Sequence, residues 1–93
     1  MPMMKKTYKQ LERTVKGFAN HRRIEALELL QLTPDLSLFD ISRELGINFK
    51  TASEHVRRLA LAELVSKRYE GQTIRHRLTS RGNSILKFLR ILE

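Results

Sequence analysis

The sequence predicts a small, mainly α-helical domain with a single β-hairpin, in the order α-α-α-α-β-β-α. Three observations support this fold class. Apolar residues recur every three or four positions along most of the chain, which is the spacing of amphipathic helices. A turn at Gly46 separates two of these segments. Residues 64–78 instead contain two β-branched or alternating runs around a glycine, which is typical of a hairpin.

The length and charge of the chain restrict its architecture and its partners. With 93 residues there is room for one modest core, so residues 1–93 are predicted to form a single domain. Because small domains often gain stability by association, a homodimer is expected. The formal net charge of +8 favours an acidic partner, such as nucleic acid or an anionic membrane surface.

Several classes of protein are disfavoured by what the sequence lacks. Without cysteine there is no disulfide framework and no thiolate nucleophile or metal ligand. Residues 1–16 do not resemble a signal peptide, and no apolar run approaches the roughly 20 residues that span a bilayer. We therefore expect a cytoplasmic protein with no membrane partner. Because no nucleophile–base grouping, phosphate loop or metal-ligand spacing is present, no enzyme, cofactor or metal site is predicted.

The first two predicted helices are separated by Asn20, which is suited to cap the second. Residues 7–19 form the first helix, in which Gly17 is expected to be destabilising by about 1 kcal/mol relative to alanine. Its apolar stripe consists of Tyr8, Leu11, Val15 and Phe18. Residues 21–32 are apolar enough to form the central buried helix, and Pro34 ends it.

A helix-turn-helix pattern follows. Ser37 and Asp40 match a capping box at the start of a two-turn helix, and Gly46 suits the left-handed conformation that ends a helix. Asn48 is placed as the cap of the next helix, at about residues 48–62. The apolar face of that helix contains Ile47, Ala52, Val56 and Leu59. Its outer face carries short hydroxyls, a lysine and an arginine, a combination that suits the major groove of DNA.

A hairpin and a last helix complete the chain. The strands lie within residues 64–69 and 73–78, and Gly71 lies in the turn between them. Residues 79–93 then form a helix that is apolar over more than half of its circumference. Such a helix needs two surfaces to pack against. One is the core of its own domain, and the other is most simply a second copy of the chain.

This order of elements is the layout of a winged-helix DNA-binding domain, and several segments resemble known families. Residues 18–30, FANHRRIEALELL, resemble the opening LANPxRxxILxLL of ArsR-type repressors. Residues 41–47, ISRELGI, and 51–59, TASEHVRRL, are similar to their recognition unit. Residues 64–79 look like their wing, and LTSRG at 78–82 is similar to MarR-type regulators.

The resemblance implies a homodimeric transcription regulator, with a repressor as the expected type, that binds double-stranded DNA in a sequence-specific way. It implies that the first and last helices form the dimer, that the helix at 48–62 enters the major groove, and that the wing at 64–78 lies on the backbone or in the minor groove. The implied DNA contacts are Asn48, Phe49, Lys50, Thr51, Ser53, Glu54, Arg57, Arg58, Lys67, Arg68, Arg75 and Arg77. The implied dimer contacts are Tyr8, Leu11, Val15, Ile85, Phe88, Leu89 and Leu92.

Some charged residues have two interpretations. Glu54 can accept a hydrogen bond from cytosine or can pair with Arg57 or Arg58, and pairing is favoured. The cations of the hairpin are interpreted as phosphate contacts, since the hairpin does not need them to fold. His76 is expected to add positive charge to the wing below its ordinary pKa of about 6.5.

Two other functions fit the same pattern. The apolar last helix could dock a protein partner, which would make the chain an interaction module. Alternatively, the chain could be a non-specific architectural nucleic-acid-binding protein. The sequence also departs from the ArsR pattern, since Glu63 replaces the usual glycine and the helix before the turn lacks the cysteines of soft-metal sensors. The effector is therefore unknown.

Overall fold

The computed structural model describes residues 4–93 and contains five helices and one two-stranded antiparallel sheet. The helices are α1 (Tyr8–Phe18), α2 (His21–Leu32), α3 (Leu38–Leu45), α4 (Phe49–Leu61) and α5 (Ser80–Ile91). The strands are β1 (Val65–Glu70) and β2 (Thr73–Leu78). The predicted order α-α-α-α-β-β-α is confirmed. Of the predicted domain 1–93, residues 1–3 lie outside the described residues.

Capping residues that the sequence identifies set the start of four helices. The Asn20 side chain accepts the backbone N–H groups of Arg22 and Arg23 at the start of α2. Ser37 and Asp40 form the reciprocal capping box of α3. Asn48 caps α4, and Thr79 caps α5 in the same way. These side chains satisfy N–H groups that have no partner within the helix.

The turn between α3 and α4 depends on Gly46. Its φ angle of 66° is in the left-handed region, where a side chain is unfavourable. A Cβ atom at this position would have no neighbour within 4 Å, so the backbone conformation alone favours glycine. The Ser42 hydroxyl closes the turn by donating a 2.6 Å hydrogen bond to the carbonyl oxygen of Ile47.

The core lies around α2, which contacts α3, α4, α5 and β2. Leu27 and Leu30 of α2 are fully buried, together with Ile41 of α3 and Leu59 of α4. Leu64, just before β1, closes the same cluster. The prediction that the second helix is the central one is therefore confirmed.

Gly17 has a packing role that its helix propensity does not reveal. A Cβ atom added there would lie 2.6 Å from the Cβ atom of Ala62, so glycine allows α1 to approach the end of α4. The Arg23 guanidinium donates to the carbonyl oxygens of Lys16 and Gly17, at 3.0 and 3.1 Å. Arg23 thereby satisfies backbone groups at the C-terminal end of α1.

The contacts at the end of α4 explain how a glutamate is accommodated at position 63, where the ArsR pattern has glycine. After the C-cap Ala62, Glu63 adopts a φ of 62°, the conformation that glycine adopts most easily. Two contacts hold it there: Arg81 pairs with its carboxylate at 3.0 Å, and the Thr79 hydroxyl donates to its carbonyl oxygen at 2.8 Å.

In residues 4–93, no helix is long and apolar enough to cross a membrane.

Candidate nucleic-acid interface

The first turns of α4 present a polar face away from the core. Ala52 and Val56 are fully buried, which fixes the rotation of the helix about its axis. Lys50 and Thr51 are exposed as a result, and Ser53 is half-buried at the edge of the same face. Short and long polar groups at the start of an exposed helix can donate to and accept from base edges.

The cap and the first residue of α4 differ in whether their side chains already have a partner within the protein. The carboxamide oxygen of Asn48 accepts the backbone N–H of Thr51 at 2.8 Å, so it is used in capping. The Phe49 side chain, by contrast, is 54% exposed. An aromatic ring that is not packed in the core adds an apolar contact surface beside the polar face of α4.

Glu54 organises the arginines of α4. Its carboxylate accepts two hydrogen bonds from Arg57, at 2.6 and 3.0 Å, and one from Arg58 at 3.1 Å. These pairs lower the pKa of Glu54 to about 2, chiefly through the hydrogen bond from Arg57. The predicted pairing of Glu54 with its neighbouring arginines is confirmed, and the carboxylate is ionised at neutral pH.

The hairpin register divides the wing cations between two faces. Arg68 pairs directly with Arg75 across the strands, and Ser66 pairs with Arg77. Because side chains alternate along a strand, the three arginines lie on one face, and Lys67 lies on the other.

Carboxylates from the segment before α3 and from the first turn of α3 reach the arginine face of the wing. Asp35 accepts two hydrogen bonds from Arg77, at 2.6 and 3.2 Å, and lies 3.6 Å from Arg68. Asp40 lies 3.8 Å from Arg75. The hydrogen bond from Arg77 is the main cause of the lowered pKa of Asp35.

The arginines of the wing therefore pair with acids of the segment that connects α2 and α3 and of α3 itself, pairs that the sequence analysis did not expect. Among the ion pairs within residues 4–93, neither Lys67 of the wing nor Lys50 of α4 has a carboxylate partner.

His76 does not add charge to the wing surface, and this expectation was wrong. Only 1% of its surface is exposed, and its Nδ1 atom lies 2.9 Å from the carbonyl oxygen of Leu36. Leu36 also forms an isolated antiparallel bridge with His76, which extends the sheet beyond β2. Burial lowers the pKa of His76 and favours the neutral ring.

Asp35 is the residue of this surface that sequence reasoning missed. The sequence pattern gave Asp35 no role, and its partner Arg77 lies 42 positions later. Its φ angle of 65° and the bridge between Leu36 and His76 direct it toward the wing. No local spacing rule connects positions so far apart.

Apolar side chains are also exposed on α1 and on α5. Leu86 anchors α5 in the core, and Ile85 and Leu89 pack partly against it. Phe88 and Leu92 remain 51% and 66% exposed. The exposed or half-buried apolar residues of α1 are Tyr8, Leu11 and Val15.

In the described part of the chain, no three histidine or acidic side chains cluster as a metal site would require.

Comparisons with known proteins agree with this architecture. A search of curated proteins finds no match. Among solved structures, a possible transcriptional regulatory protein from Mycobacterium bovis (fragment 1–100) is similar at 27% identity. The TM-score is 0.81, and the alignment covers 90% of each chain. HlyU from Vibrio cholerae is 29% identical, with a TM-score of 0.78 and coverage of 96% of this chain and 97% of that one.

A solution structure from M. bovis bears on the family more directly. It is described as the homodimeric winged helix-turn-helix DNA-binding domain (fragment 1–100) of Mb0332, a possible ArsR-family transcriptional regulator. It is 25% identical, with a TM-score of 0.81 and coverage of 97% of this chain and 89% of that one. This similarity supports the resemblance to ArsR-type regulators that the sequence motifs suggested. A family profile described as winged helix-turn-helix DNA-binding matches residues 20–66, about half of the chain. The chain therefore belongs to the winged helix-turn-helix DNA-binding family.

Proposed function

We propose that the chain is a sequence-specific transcription regulator, of the repressor type, that binds double-stranded DNA as a homodimer. In this proposal residues 1–93 act as one domain, and α4 enters the major groove. The observation that carries the proposal is the polar start of α4, where Lys50 and Thr51 are exposed and Ala52 fixes the helix against the core. Helices docked in this way read base edges with their first turns.

Within this proposal the two parts of the surface have different tasks. Lys50, Thr51, Ser53 and Arg57 contact bases or the adjacent phosphates, whereas Glu54 holds the two arginines in place. Asn48, Phe49 and Arg58 border this contact. The wing contributes Lys67, Arg68, Arg75 and Arg77 to phosphates or to the minor groove. Contacts with phosphate supply affinity, and contacts with bases supply specificity.

The dimer is proposed to form through the apolar surfaces of α1 and α5. Their exposed side chains would be covered by the same surfaces of a second copy. The M. bovis domain described as homodimeric supports the formation of a dimer. Light scattering after size exclusion should give twice the monomer mass of 10.9 kDa, and the double variant Phe88→Glu/Leu92→Glu should give the monomer. A wild-type monomer would favour the alternative of a module that docks a different protein.

Binding can be tested by fluorescence anisotropy with labelled duplexes at several salt concentrations. We expect the affinity to fall steeply with salt, because each phosphate contact releases counterions. A single-stranded oligonucleotide of the same sequence is the control and should bind more weakly. If there is no binding at low salt, or if the affinity does not change with salt, the proposed function is wrong.

A further inference from the structure

A cavity of about 530 Å³ lies between α1 and the C-terminal end of α4. Its volume is within the range of small-molecule sites. One wall is a stripe of α1 that contains Arg13 and Gly17, and the opposite wall is formed by Arg58, Leu61 and Ala62. None of the proposed dimer contacts lines this space, and Arg58 is the one proposed DNA contact that does.

The charges around the cavity are strongly unbalanced. Five cations line it, against one carboxylate, Glu63. The cations are Lys6, Arg13, Lys16, Arg58 and Arg81. Glu63 is already paired with Arg81 at 3.0 Å. Among the ion pairs within residues 4–93, Lys6 and Arg13 have no carboxylate partner. Such a concave surface attracts an anion.

One wall of the cavity is apolar. Leu61 is 71% exposed, although its neighbour Ala62 is buried against α1. A bare inorganic anion could pair with the cations but would leave this leucine in water. A ligand that combines an apolar body with an acidic group would use both parts of the cavity.

The cavity is also separate from the proposed dimer surface. Three of its α1 residues, Gln10, Arg13 and Gly17, follow the apolar residues Tyr8, Leu11 and Val15 by two positions each. Two positions correspond to about 200° around a helix. The cavity stripe and the apolar stripe therefore lie on opposite sides of α1, and dimerisation through the apolar stripe leaves the cavity side of α1 uncovered.

Arg58 connects the cavity to the surface proposed to contact DNA. It lines the cavity, and its Nε atom donates to Glu54 at 3.1 Å. An anion in the cavity would compete with Glu54 for this guanidinium. It would also reduce the positive charge beside α4.

We propose that this cavity binds a small amphipathic organic anion, with an apolar body and one carboxylate or sulfonate group. We further propose that its occupation weakens binding to DNA. This second part rests on the proposed function, whereas binding of the anion does not.

Anilinonaphthalene sulfonate is a suitable probe because it is a fluorescent aromatic sulfonate. Titrating it into the full chain should produce a saturable rise in emission. Arg13→Ala should raise the dissociation constant about fivefold, a typical effect of one lost charge contact. Lys9→Ala, on the same helix but outside the cavity, is the matched control and should bind like the wild type. Circular dichroism checks that both variants are folded. Equal affinities of the two variants would overturn the site.

Competition tests the class of ligand. Toluenesulfonate should displace the probe at concentrations where sulfate of matched ionic strength does not. If sulfate is equally effective, the cavity binds inorganic anions generally, and the proposed amphipathic ligand is wrong.

Anisotropy with a labelled duplex tests the regulation. At constant ionic strength, saturating probe should weaken duplex binding by the wild type more than by Arg13→Ala. If the probe binds and duplex affinity is unchanged, the regulatory part fails. If the protein binds the duplex but not the probe, the inference fails and the proposed function stands. If the probe binds and no duplex does, the proposed function fails and the site stands.

Discussion

The outer face of α4 and the wing both carry arginines, but the acids that hold those arginines come from different places. In α4 the acid belongs to the same helix, since Glu54 binds Arg57 three positions later and Arg58 four positions later. In the wing, Glu70 of β1 lies 3.3 Å from Arg68 and 3.8 Å from Arg75, but all three arginines also pair with acids from another part of the chain, as when Asp35 binds Arg77 across 42 positions. The arginines of α4 are therefore oriented locally, whereas those of the wing connect two parts of the fold.

This difference suggests how the two regions divide the task of binding DNA. Lys50 and Thr51 in the first turn of α4 are exposed, and Lys50 has no carboxylate partner within residues 4–93. On the arginine face of the wing, a phosphate would have to compete with Asp35, Asp40 or Glu70. We therefore expect substitutions in α4 to alter sequence discrimination and substitutions in the wing to alter general affinity.

The largest effect is expected from Lys50→Ala. If Lys50 reads a base edge, binding to the preferred duplex should fall by about tenfold or more, while binding to a scrambled duplex should change much less. Competition anisotropy with the two duplexes measures both values. Lys9→Ala is the control. An equal loss on both duplexes would assign Lys50 to phosphate contact instead.

Arg75→Ala should have a smaller and more uniform effect. Loss of one phosphate contact should weaken binding to all duplexes about equally and reduce the slope of log affinity against log salt by about 1. Anisotropy at four or five salt concentrations gives this slope. A loss confined to the preferred duplex would show that the wing also reads sequence.

Asp35→Asn should strengthen binding of the wing to DNA of any sequence, whereas Arg75→Ala should weaken it. Without this carboxylate, Arg77 becomes available to phosphate, while Arg68 keeps its pair with Glu70, so binding to scrambled duplex should increase and its salt dependence should become steeper. The melting temperature should fall slightly, because the wing loses an ion pair with the segment before α3 but keeps the backbone bridge between Leu36 and His76. Glu28→Gln removes one negative charge at an exposed carboxylate that forms no ion pair within residues 4–93, so it is the control. Unchanged melting and binding would show that the ion pair has neither role.

The two regions also each contain a histidine whose pKa is lowered, and this predicts a modest pH dependence of stability. Burial is the main cause for both His55 and His76. The unfolded chain therefore binds more protons than the folded chain below about pH 6.5, and stability should fall as the pH decreases from there. The slope is at most about 1.4 kcal/mol per pH unit for each histidine.

Urea denaturation at pH 7.5 and pH 5.5 measures this dependence. The lowered pKa values of Asp35, Asp40 and Glu54 act below this window, since their ordinary values are 3.8 or 4.5. His76→Gln should reduce the difference between the two pH values. Equal stability of the wild type at both pH values would mean that protonation of the histidines is not coupled to folding.

Local rules predicted much of the fold. Caps such as Asn20 and Asn48, the turn at Gly46 and the pairing of Glu54 all depend on residues within four positions of each other. Spacing along the chain contains this information.

Features that depend on how distant segments meet could not be predicted in this way. Asp35 reaches the wing only because Leu36 bridges to His76, and the same bridge covers the imidazole ring that the sequence placed at the surface. Helix propensity marks Gly17 as destabilising, but the close approach of Ala62 leaves no room for a side chain at this position. Each of these is a tertiary contact without a signal in local spacing.

Selection of bound duplexes from a random pool tests the central claim most directly. A homodimer that places two α4 helices in the major groove should enrich a two-fold symmetric motif with half-sites about one helical turn apart, at roughly 10 base pairs or a multiple. Lys50→Ala should enrich that motif less strongly. A pool that remains random after repeated rounds, with retained affinity for duplex DNA, would contradict sequence-specific recognition by α4.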